Sequence, residues 1–400
     1  MGTESSTCLP EPRMILNYPF FALLCAITLL LGGCTLPDKG PAGVEPLLEK
    51  DASVAGPGER TEIRVVTLLE WLKEPWGMDF LPDGRLLLTE KPGTLKIVTP
   101  DSWSTRLVQG MPAVADQGQG GLMDVLVHPD FEHNQWIYLS YSVEVEGGFT
   151  TRVSRARLQD ASLVQLEEVF TARPAYPQRR HFGSRLLLDG GYLYITVGDR
   201  GNREAAQNLL DHSGKVIRLT ESGGVPPGNP FVGQAGKRPE IYSYGHRNPQ
   251  GIARHPYSGD IWISEHGPQG GDEINVLRSG ANYGWPVITY GEEYGGGKIG
   301  EGTHKEGMQQ PLIYYTPSLA TGGIDFYTAD TYPGWQDSLL VSSMRLTRIN
   351  RLELKPDGSL GRETRLLGNL GMRIRDVQVG PDGLVYALAD RSRLIRLELH

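Results

Sequence analysis

The sequence predicts an all-β protein, a six-bladed β-propeller, and three observations carry that prediction. One phrase recurs six times, helical periodicity is nearly absent, and the two ends of the folded part alternate as if to pair with each other. The phrase is a turn containing Pro, Asp or Gly, followed by a short β-branched or aromatic run that ends in a polar residue. Its copies occupy residues 81–90, 128–140, 189–196, 255–264, 334–341 and 381–388. They are spaced by about 45 to 80 residues, which suits propeller blades with insertions. Each copy is expected to form a hairpin whose second strand is buried on both faces, so that its apolar run is nearly continuous. Residues 202–210 offer at most one short helix. Ile63 and Val65 alternate with polar neighbours, as do Ile395, Leu397 and Leu399. An N-terminal strand joining the last blade would remove the open edges that a pair of β-sandwiches, the competing architecture, would keep.

The sequence has 400 residues with Gly 51 and Pro 28, about a fifth of the chain, which implies many turns between short elements. The net charge of -8 argues against nucleic acid as a partner, since phosphate binding needs surplus Lys and Arg. At the N-terminus, Arg13 and Met14 precede an apolar run over 15–31, broken by Asn17 and Pro19 and closed by Leu31-Gly32-Gly33-Cys34. Residues 1–33 therefore read as a secretory signal, with Met14 an alternative start. The tetrapeptide resembles a bacterial lipobox, which makes Cys34 the lipid-modified first mature residue. A plain signal or an anchor helix is the other reading, although the run is short for a span. Thr35 after the Cys points to the outer membrane, hence a periplasmic, membrane-anchored protein. Cys8 and Cys25 would leave with the signal, and no thiol would remain for a disulfide, a metal or a nucleophile. Residues 34–60, rich in Pro, Gly and charge, read as a tether, and 61–400 as the propeller domain.

Loops at one end of a propeller surround its channel, so chemistry is sought there. In Gln117-Gly118-Gln119-Gly120-Gly121, glycines permit close backbone approach beside an amide; alone, a plain turn explains it equally well. In Arg179-Arg180-His181-Phe182, neighbouring cations and burial should hold His181 neutral, as a general base requires. Arg247 and Asn248 stand before a turn fixed by Pro249. The stretch from Glu265 through Gly267, Pro268, Gly270 and Gly271 to Asp272 and Glu273 mixes freed carbonyls with acids, the donor set calcium prefers. Arg373 and Arg375 share a face at strand spacing and suit a small polyanion. Capped loops, acidic turns and surface arginines are the bland readings of these segments.

Taken in order, these motifs resemble the soluble PQQ-dependent aldose and glucose dehydrogenases, the bacterial aldose dehydrogenase branch above all, over about residues 61–400. The resemblance implies a six-bladed propeller that binds pyrroloquinoline quinone (PQQ) and Ca2+ and oxidises aldoses to lactones. It implies that His181 is the general base, and that Gln119, Arg247, Asn248, Arg373 and Arg375 hold PQQ, with Arg247 also stabilising charge on the quinone oxygen. The carbonyls of Gly267 and Pro268 would bind the catalytic calcium, and those of Glu273 and Tyr283 a structural one. Tyr294 would lie near the cofactor. Arg345 stands where the family has a lysine, and Arg180 where glucose-specific members have Asp. The electron acceptor is left open among a quinone, a dye and a cytochrome. A calcium-dependent lactonase or esterase is the rival enzyme, and a sugar- or protein-binding propeller the non-enzymatic rival.

Overall fold

The computed structural model describes the backbone of residues 51–56 and 59–399, and side chains from Ile63 onward; the expected signal segment, Cys34 and most of the expected tether lie outside the described residues. Six antiparallel sheets succeed one another along the chain. Blade 1 comprises Pro75–Phe80, Leu86–Glu90, Thr94–Val98 and Thr105–Leu107. Blade 2 has longer strands, Leu122–Val127, Trp136–Val145, Gly148–Gln159 and Ser162–Thr171. Blade 3 is Leu186–Asp189, Tyr192–Val197, Lys215–Thr220 and Ile241–Tyr244. Blade 4 is Pro249–Arg254, Ile261–Glu265, Asp272–Val276 and Ile313–Tyr315. Blade 5 is Thr321–Tyr327, Ser338–Ser343, Arg348–Leu354 and Leu360–Leu366. Blade 6 takes Ile374–Val379, Val385–Ala389 and Arg393–Leu399 from the C-terminus.

The six recurring phrases are the six second strands. Leu86–Glu90, Ile261–Glu265, Ser338–Ser343 and Val385–Ala389 are buried at every residue. Neighbouring blades cover both faces of these strands, which is why their apolar runs are continuous rather than alternating. Glu59–Leu69 closes the ring as expected: Ile63 pairs with Leu399, Val65 with Leu397 and Thr67 with Ile395. The expected start at 61 moves earlier, because Asp51–Gly56 pairs with Glu59–Leu69 as an outermost strand. That strand, Asp-Ala-Ser-Val-Ala-Gly, lacks the apolar alternation by which a strand is recognised. A 3₁₀ turn, Arg203–Gln207, falls inside the expected helical stretch. One further helical turn, Phe131–Asn134, buries no residue and so leaves no period to read.

First strands of adjacent blades pack on one another and line the channel. Carboxylates tie them together. Asp79 accepts the Val127 N–H at 2.6 Å, Asp124 that of Leu186 at 2.9 Å, Asp325 that of Val379 at 2.8 Å and Asp376 that of Met78 at 3.3 Å. Each bond runs from one blade to the next. Buried Arg185 joins the set, paired with Asp124 at 3.1 Å and Asp376 at 2.8 Å. These acids therefore have a structural role: each buried carboxyl is satisfied by a backbone N–H of the next blade, and Asp124 and Asp376 also by Arg185.

Candidate active site

His181 lies in the connection from blade 2 to blade 3, with φ at 55°, a left-handed conformation that needs support in a non-glycine residue. The support is on both sides. The Gln119 side chain accepts the His181 N–H at 2.8 Å, and the Gln119 N–H donates to the Arg179 carbonyl at 2.8 Å. Gly118 has to be glycine, because a Cβ there would strike that same carbonyl. From beneath, the buried guanidinium of Arg200 donates to the carbonyls of Gln178 and Arg180 and stacks on Phe182.

The imidazole is oriented as firmly as its backbone. Nδ1 lies 2.7 Å from Asp199 Oδ1, and the Trp285 Nε1–H donates to the other carboxylate oxygen at 2.8 Å. An ionised carboxylate only accepts, so Nδ1 carries the proton and the lone pair sits on Nε2. Burial holds the His181 pKa below its ordinary 6.5; Asp199 opposes this, while Arg247 and Arg180 lower it further. Burial alone would raise Asp199, but the bond from His181, the charges of His181 and Arg247 and the Gly201 N–H bring it below the usual carboxylate range. The pair at neutral pH is a neutral imidazole backed by an anion, an arrangement suited to taking a proton.

Beside it opens a cavity of about 340 Å³ lined by Trp76, Gln119, Asn248, Gln250 and His266 together with Lys91, Arg373, Arg375 and Arg391. Glu74 is the one acid on this wall; it faces Lys91 at 3.4 Å and Arg391 at 3.5 Å. Arg375 is pushed down to about 9 by burial and then by Arg185 and Arg373, and Arg373 is lowered by burial and Arg391. Cations that depress one another call for an anion between them. The wall thus fits a small polycarboxylate such as PQQ, with the Trp76 ring as an apolar surface.

The blade 4 loop supplies oxygens. Arg247 Nη1 donates to the carbonyls of Gly267 at 2.7 Å and His266 at 3.2 Å. The carbonyls of Gly270 and Gly271 crowd the α-carbon of Gly267. Just behind, Glu265 and Glu273 oppose each other on paired strands, and both are pushed up, chiefly by burial. His246 lies 3.1 Å from Glu265 and stacks on Tyr283, which places Glu273 and Tyr283 in one buried cluster. Among the described residues no three His, Cys, Asp or Glu side chains form a metal cage. A hard cation such as calcium would take carbonyl oxygens of this loop, of which that of Gly267 is held by Arg247.

The structure therefore brings Gln119, Asn248, Arg373 and Arg375 onto one wall, ties His181 to Gln119 and sets Arg247 against Gly267. Tyr294 is 71% exposed and Arg345 is exposed just after the second strand of blade 5; neither is among the residues lining the cavity, and the same is true of His181 and Arg247. Asp199, Trp285, Trp76, Lys91 and Arg391 were not anticipated. Lys91, Asp199 and Arg391 share a signal: each comes just after a second strand, at the channel mouth.

Residues 72–396 match the family model described as Glucose / Sorbosone dehydrogenase. The aldose sugar dehydrogenase of Escherichia coli (strain K12) is 41% identical over 337 residues, covering 82% of this chain and 91% of the relative. The apo crystal structure of the soluble aldose sugar dehydrogenase from Escherichia coli superposes with a TM-score of 0.82 at 39% identity, over 84% of this chain and 100% of that one. The PQQ-bound aldose sugar dehydrogenase of Streptomyces coelicolor gives 0.69 at 26%, over 85% and 99%. By fold, motif order and the extent of these matches, the chain belongs to the glucose / sorbosone dehydrogenase family.

Proposed function

We propose that the chain oxidises aldoses at C1 to lactones, with PQQ held in the cationic cavity and calcium on the blade 4 carbonyls. The observation that carries this is the neutral, oriented His181 beside a wall of arginines and Lys91. Bound PQQ supplies the carbon that accepts the hydride, and calcium supplies the Lewis acid that polarises the quinone. The protein does the rest. His181 Nε2 takes the proton of the anomeric hydroxyl. Asp199 keeps Nδ1 protonated and stabilises the imidazolium that forms. Arg373 and Arg375 bind carboxylates, Gln119 fixes the base's backbone, and Arg247 adds a fixed cation to the field in which charge develops.

Apoprotein reconstituted with PQQ and calcium should reduce a dye when an aldose is added. His181→Gln should abolish turnover and still bind PQQ; near-normal dye reduction by that variant would remove the base assignment. Secretion and anchoring through Cys34 belong to the same proposal, and Cys34→Ala should move the protein from the membrane to the soluble fraction.

A further inference from the structure

We propose that Arg180 determines specificity and that the site takes aldoses bearing an anionic group, such as uronic acids or phosphorylated sugars. This deepens the sugar dehydrogenase reading and rests on it. Arg180 precedes the base, and its carbonyl is gripped by buried Arg200, so its backbone is fixed while its side chain is exposed. The guanidinium lies back over Gly201: its Nε would stand 2.5 Å, and its Nη2 3.1 Å, from a Cβ built there. The Gly201 N–H in turn donates, at 2.7 Å, to the same Asp199 oxygen that holds His181.

Arg180 is therefore beside the catalytic pair without being consumed by it. The Asp199 carboxylate is filled by His181, Gly201 and Trp285, and the nearby Glu293 takes Arg203 in a two-pronged pair. Among the described residues no acid pairs with Arg180. Like His181, it is not among the residues that line the cationic cavity. Its charge does reach the imidazole, being one of the causes that hold His181 low. A field felt at the base is felt by a sugar bound there. An uncommitted guanidinium offers a planar fork for carboxylate or phosphate.

The test compares kcat/KM of the PQQ- and calcium-loaded protein for glucose, glucuronate and glucose 6-phosphate at low ionic strength. At least one anionic sugar should exceed glucose by about tenfold, the worth of one charge-assisted hydrogen bond, and the larger ratio identifies carboxylate or phosphate. Added salt should shrink the ratio. Arg180→Lys should keep part of it, and Arg180→Glu should invert it in favour of glucosamine. Arg180→Gln should also move the acidic limb of kcat/KM to higher pH, which a merely structural residue would not do. The proposal is overturned if glucose equals or exceeds both anions, or if the ratio survives Arg180→Glu. Absence of oxidation with all the sugars would instead overturn the dehydrogenase reading.

Discussion

The two ends of the central channel carry opposite charge and handle it in opposite ways. At one end Asp79, Asp124, Asp325 and Asp376 each accept a backbone N–H from the next blade, and Arg185 is paired twice. At the other end Arg373 and Arg375 face a cavity with a single acid on its wall. Satisfied charge holds blades together; unsatisfied charge of one sign is kept for a ligand. Charge alone would not have separated the two. Partners do.

The contrast can be broken by removing charges from each end. The largest effect is expected from Asp199→Asn, which should lower kcat by about 10³ to 10⁴, because the imidazole loses its tautomer; steady-state kinetics at saturating aldose would check it. At the opposite end, Asp376→Asn strips Arg185 of a partner and should cost about 3 to 5 kcal/mol in denaturant unfolding. Arg375→Met should do the reverse of that. The ligand-free protein should melt no lower than wild type, while PQQ binding by fluorescence titration weakens about ten- to hundredfold, the loss of one paired charge. A destabilised Arg375→Met apoprotein would show that this cation is structural and erase the distinction.

The smallest effects are in pH. Burial raises Asp79 to about 7 and Asp124 and Asp325 to about 6. The folded state then binds more protons than the unfolded one, so their contribution is full below 3.8 and is lost as pH rises through 6 to 7. Asp79→Asn should flatten the fall in melting temperature over that window. The active end should respond on the opposite side: with His181 held below 6.5, kcat/KM should drop only as pH falls beneath that value.

Much of the blade order was legible because each second strand is enclosed on both faces and writes a continuous apolar run into the sequence. Ring closure was legible from the alternation at Ile63 and Val65 against Ile395, Leu397 and Leu399. The pairing of Asp51–Gly56 was not, since an outermost strand of small and polar residues has no apolar face to encode. Within the site, His181, Gln119, Asn248, Arg373 and Arg375 stood out through motif context. Asp199 was missed although it stands two residues after the end of Tyr192–Val197, at the end of the channel where His181 sits. Trp285 gave no local sign, because its role depends on the chain folding back onto Asp199 across a separation of 86 residues.

The seam between Glu59–Leu69 and Arg393–Leu399 also governs how the molecule is made. Arg64 and Glu398, joined across it, are 334 residues apart in the chain. Contacts of such separation form slowly, and on the ribosome the last blade waits for the final residues to emerge. Until then the edge of Glu59–Leu69 that will meet Arg393–Leu399 is open, exposed to other nascent chains. If the two termini were joined and the chain cut instead at an exposed loop such as that around Gly236, the sixth blade would assemble from contiguous strands.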